Sequence, residues 1–209
     1  MNKTPLTIDE ALLDVRKAYR LLHDYQRMAL DAVGYIGKQL GLTYSGGWPQ
    51  FSDPAPRPGK GGLDFWAWDW LNMMFYEFHF TGDLKDGDVM HLSVLLISDS
   101  GYFCSEHEEV EATEVSDFLV PERSTTAIGF VLSRENWPDT GYLHSKSAMR
   151  EFIETGGSLP AEVTAQGAIG KCCNFSRIAS EEDTDVLLDE LVLVANAKRI
   201  PIERVGKVG

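Results

Sequence analysis

The stretch Leu63–Phe80, LDFWAWDWLNMMFYEFHF, holds three of the chain's five tryptophans together with Phe65, Phe75, Tyr76, Phe78 and Phe80. So dense an aromatic block must be interior filling or an adhesive surface, because each ring carries a large apolar area. Its second half is the more informative. Met74, Tyr76, Phe78 and Phe80 alternate with Phe75, Glu77 and His79, which is the period-2 mark of a β-strand. The block is therefore expected at the centre of a core. Leu63–Leu71 reads as a short helix started by Asp64 or as the first part of that strand.

Downstream, Asp86-Gly87 is a hairpin-turn pair, and Val89–Ile97 is the expected return strand. The unbroken apolar character around Leu92–Ile97 places that strand inside the sheet. Ser98-Asp99-Ser100-Gly101 turns the chain, after which Tyr102-Phe103-Cys104 is expected to resume pairing. Ile128, Phe130 and Leu132 alternate within a strand over 126–133, and 168–178 carries a weaker strand signal.

Upstream, Thr7-Ile8-Asp9-Glu10 has the form of a capping box. From there Ile8, Leu12, Val15, Tyr19, Leu22, Ala29, Val33, Ile36 and Leu40 follow a 3-4 repeat, broken only at Gln26. That stripe defines a helix of about nine turns, stopped by Gly41. Arg16, Lys17, Arg20, Arg27 and Lys38 are balanced by Asp9, Asp14, Asp24 and Asp31, mostly off the stripe. A face so long is also able to pack a partner's helix, so a homodimer through residues 8–40 is an expectation to test. Residues 43–62 are rich in glycine and proline and read as a loop. Within them Gly59-Lys60-Gly61 lacks the Ser/Thr that a phosphate loop places after its lysine.

Toward the C-terminus, 145–155 is expected to be helical and closed by Gly156-Gly157. Ser180 should cap a last helix running to about Lys198, with Glu181, Glu182 and Asp183 at its positive end. The order predicts an α+β fold: a long N-terminal helix packed on a small, mostly antiparallel sheet, with further C-terminal helices. No shift in composition divides the chain, so residues 1–209 are expected to form a single domain.

The net charge of −13 disfavours nucleic-acid backbones and anionic membranes and favours a basic protein partner. Cys104, Cys172 and Cys173 make an odd set without a disulfide framework or metal-ligand spacing. The N-terminus lacks the apolar run of a signal peptide, and no stretch approaches a membrane span. A reduced, soluble protein of a bacterial cytoplasm is expected.

Three clusters invite chemistry. His107-Glu108-Glu109-Val110-Glu111 misses the HExxH zinc pattern, because Glu111 stands where the second histidine belongs. Asp69, Asp83 and Lys85 have the acid-gap-acid-x-Lys order of the restriction-endonuclease-like nucleases, although Asp83 and Lys85 are expected in a hairpin loop. Glu77 and His79 share one strand face, and His91 joins them if the register allows, giving a divalent-metal or acid-base set. The competing reading is that this face is simply the wetter side of the sheet. No nucleophile elbow or dinucleotide fingerprint occurs, and no cofactor is expected.

The leading expectation is a non-enzymatic binding or regulatory protein, of inhibitor or immunity type, acting on a basic partner through Glu106, Glu108, Glu109, Glu111 and Glu114. The alternatives are a divalent-metal-dependent hydrolase or nuclease-like phosphodiesterase, and a structural subunit assembling through the first helix.

Overall fold

α1 spans Ile8–Gln39 and begins as its sequence requires: the Thr7 hydroxyl accepts from the Glu10 N–H, and the Glu10 carboxylate accepts from the Thr7 N–H. It ends at Leu40, and Gly41 follows at φ 67°, a left-handed value that glycine adopts without a Cβ penalty. The computed structural model describes residues 7–51, 74–84, 87–104, 115–134 and 143–205. Residues 63–73 of the aromatic block, with Trp66, Trp68, Trp70 and Asp69, lie outside the described residues, as do Lys85, Asp86 and the segment 105–114.

Among the described residues five strands form one antiparallel sheet in sequence order: β1 (Thr43–Pro49), β2 (Phe75–Asp83), β3 (Val89–Ile97), β4 (Ala127–Arg134) and β5 (Ile169–Asn174). β2 and β3 pair from Phe75↔Ile97 to Asp83↔Val89, and Gly87 takes φ 94° in the connecting turn. Two expectations are corrected here. Residues 43–49 are an edge strand rather than loop: Gly46 sits at a bulge and Pro49 at the strand's end, positions where an edge tolerates both residues. Residues 100–102 form a 3₁₀ turn instead of resuming pairing, with the Asp99 carboxylate accepting from the Gly101 N–H.

The other α-helices among the described residues are α2 (Lys146–Glu154), α3 (Ala161–Ala165) and α4 (Glu181–Ala197), with Ser145 and Ser180 capping α2 and α4 through their hydroxyls. The sheet is covered on both sides. One face carries Phe78, Phe80, Leu92, Val94, Ile128 and Phe130 against Val33 and Ile36 of α1 and Leu187, Leu188 and Leu191 of α4. The other carries Phe75, Leu95, Ile97 and Val131 against Met149 and Phe152 of α2, with Phe103 and Leu143. Near the C-terminus the Arg204 guanidinium donates to Gln39 Oε1, Asp185 and Asp189, tying the final segment to α1 and α4. Among the described residues no helix is long and apolar enough to cross a membrane.

Candidate functional site

The period-2 pattern of β2 brings Glu77 and His79 to the α2 side of the sheet, and the register answers what the sequence left open. His79 stands opposite Ser93, and His91 stands opposite Thr81 and Ser133, so both histidines share that face as diagonal neighbours. This half of the face is polar where the half around Phe75 and Leu95 is apolar. It is not the wetter side of the sheet, however. Glu77 and His79 are each 1% exposed and Ser93 is 0% exposed.

Burial obliges these groups to satisfy one another. Gln50 donates its amide to Glu77 Oε2 at 3.0 Å, and His79 Nε2 lies 3.6 Å from Glu77 Oε1. Ser93 Oγ is 3.4 Å from His79 Nδ1, and the Trp48 indole stacks on the imidazole with centroids 4.1 Å apart. Burial pushes the His79 pKa down, against the upward pull of the Glu77 carboxylate, and burial likewise lowers His91. Ser93 Oγ stands within hydrogen-bond reach of Nδ1, with the donor set by the ring's tautomer, and Nε2 faces the Glu77 carboxylate across 3.6 Å.

A serine, an imidazole and a carboxylate in a row suggest a nucleophilic relay. Here Ser93 lies mid-strand and is 0% exposed, out of a substrate's reach, so the chain of contacts orders the sheet. Among the described residues no three His, Cys, Asp or Glu side chains come together as a metal-ligand set.

The other sequence candidates separate. Asp83 ends β2 opposite Val89, in the strand rather than the loop, while its proposed companions Asp69 and Lys85 lie outside the described residues. Glu106, Glu108, Glu109, Glu111 and Glu114 also lie outside them. Cys172 and Cys173 are strand residues, and burial pushes the Cys172 thiol up to about 12, far from a reactive thiolate.

Sequence reasoning passed over a groove of about 390 Å³ between α1 and the start of α4. Its apolar lining comes from Met28, Ala32, Tyr35 and Ile178, and its acids are Asp24, Asp31 and Glu181. The one guanidinium among the lining residues, Arg27, has Nε 3.8 Å from Asp31 Oδ2, so carboxylates outnumber cations there. The signal available in the sequence was weak. Asp24 and Asp31 are one heptad apart on α1, but nothing local indicates that Glu181 of α4 joins them.

Neither curated proteins nor solved structures yield a significant match to the chain. A family model described as PM0109 matches residues 6–200, which includes every element from α1 to α4. The chain belongs to the PM0109 family.

Proposed function

We propose that the protein is a non-enzymatic binding or regulatory protein, of inhibitor or immunity type, that captures a basic protein partner in a bacterial cytoplasm. The observation that carries this reading is the α1–α4 groove, which sets an apolar lining beside Asp24, Asp31 and Glu181 in a chain of net charge −13. Such a groove suits the aliphatic stem and charged head of an arginine or lysine, and the overall field speeds the encounter. Three free thiols accord with a reducing compartment. The carboxylates Glu106, Glu108, Glu109, Glu111 and Glu114 belong to the same proposal as a second acidic contact.

The test is titration with a short arginine-rich peptide at two salt concentrations. Asp24→Asn with Asp31→Asn and Glu181→Gln should weaken association at least about tenfold at low salt and flatten its salt dependence. If neither this set nor neutralisation of the five glutamates changes affinity or salt dependence, the reading is wrong.

A second reading, a divalent-metal hydrolase, rests on Glu77, His79 and His91 sharing one sheet face, although among the described residues they do not converge as a ligand set. Calorimetric titration with manganese, magnesium and zinc decides it. A tight one-to-one site abolished by Glu77→Gln would support it over the binding protein.

A further inference from the structure

The apolar stripe of α1 does not stop where the sheet stops. Every buried residue of the helix lies at or beyond Ala29, whereas Ile8, Leu12, Val15, Tyr19 and Leu22 are between 40% and 72% exposed. Ile8–Leu22 is therefore an arm of about two heptads, about 22 Å long, whose helix-packing seam no described residue covers; the helix first meets the body at Tyr25, which hydrogen-bonds with Ser98 and packs on Phe175. The seam keeps a strict 3-4 spacing, a mean period of about 3.5, which is the repeat of a left-handed coiled coil.

We propose that this arm pairs with the same segment of a second copy of the chain, in antiparallel orientation. Charge selects the occupant and its direction. Asp9, Glu10 and Asp14 make the outer end of the arm acidic, while Arg16, Lys17 and Arg20 make the remainder basic. Antiparallel pairing sets each acidic end beside the basic stretch of the other copy. Parallel pairing sets like against like along the whole length. The charges are available for this, because the pairs within the arm are weak. Lys17–Asp14 at 2.9 Å has both side chains more than half exposed, so solvent and salt screen it. Antiparallel pairing also places the two folded bodies at opposite ends, where they do not collide.

Size sets the strength. Two helices meeting along a strip about 22 Å long bury less than the roughly 1,000 Å² of a standard specific interface. The dimer is therefore weak and reversible, and its Kd is expected on the order of ten micromolar. This pairing stands apart from the basic-partner reading, since the arm Ile8–Leu22 shares no residue with the α1–α4 groove, and either can fail without the other.

The experiment is sedimentation velocity of the full chain from about 1 to 200 µM, a range that brackets the expected Kd. The wild type should pass from monomer to dimer, and Leu12→Glu with Tyr19→Glu should hold it monomeric. Asp9→Lys with Asp14→Lys, which leaves the Thr7–Glu10 capping box intact, should weaken the dimer at least about tenfold. Adding Arg16→Glu, Lys17→Glu and Arg20→Glu to those two should restore it to within about threefold, because the complementary pattern is then inverted at every position but Glu10. Circular dichroism verifies that each variant keeps its helix. A wild type that stays monomeric throughout overturns the proposal. So does a dimer indifferent to Leu12→Glu with Tyr19→Glu, and a doubly inverted variant that stays monomeric overturns the antiparallel orientation.

Discussion

From Ala29 to Leu40 the 3-4 stripe of α1 lies on the sheet, with Ala29 and Ile36 fully buried, whereas from Ile8 to Leu22 the same stripe faces solvent. One sequence rule generates both halves, and their surroundings differ completely. Periodicity specifies that a helix forms and which side of it is apolar; it does not specify what covers that side. The lengths do. A helix of 32 residues extends about 48 Å, while strands of nine residues extend about 30 Å, so a substantial part of α1 must overhang. The overhang persists as helix because the anchored end has already met the cost of nucleation.

The largest contrast between the halves should come from truncation. Ile36→Ala removes a side chain that is 0% exposed and should cost about 2–5 kcal/mol of unfolding free energy. Leu12→Ala, at 46% exposure, should change the stability of the dilute protein by no more than about 0.5 kcal/mol. Urea unfolding of both variants at low concentration measures the two together, and equal losses would break the comparison.

Two glycines of α1 sharpen it within one turn. A Cβ at Gly37 would fall 2.4 Å from Phe80 Cε1, so Gly37→Ala should destabilise by about 1–3 kcal/mol as the ring is displaced. A Cβ at Gly34 meets nothing within 4 Å, and Gly34→Ala should stabilise by about 0.5–1 kcal/mol through helix propensity. Thermal melts should move in opposite directions.

Acid should act on the anchored body through His79 and His91. Burial holds both below the ordinary value of 6.5, so the unfolded chain takes up protons first as pH falls. The stability these groups contribute is complete above about pH 6.5 and declines as pH drops below it. Melting temperatures measured from pH 8 to 5 should fall over that lower range, and His79→Asn with His91→Asn should flatten the slope. An unchanged slope would remove these histidines from the account.

Much of the architecture was legible beforehand. The capping box at Thr7, the strand Val89–Ile97 and the Ser180 cap were all readable, because each rests on local pattern. β1 was not, since Gly46, Gly47 and Pro49 belong to a strand only by pairing with Glu77, Tyr76 and their neighbours, a tertiary fact. The polar set was half legible. Alternation put Glu77 and His79 together, but Ser93 sat inside an apolar run, and the stacking of Trp48 over His79 depends on the pairing that the glycines concealed. The α1–α4 groove was illegible because its two sides are separated by most of the chain.

Hydrogen exchange along α1, followed at two protein concentrations, tests the central claim most directly. At low concentration, amides of residues 29–39 should show protection near that of the central strands, while those of 8–22 exchange quickly. Raising the concentration should slow exchange in 8–22 alone. Uniform protection along the helix at both concentrations would contradict an anchored half and an uncovered half. An arm whose exchange ignores concentration would contradict its pairing with a second copy.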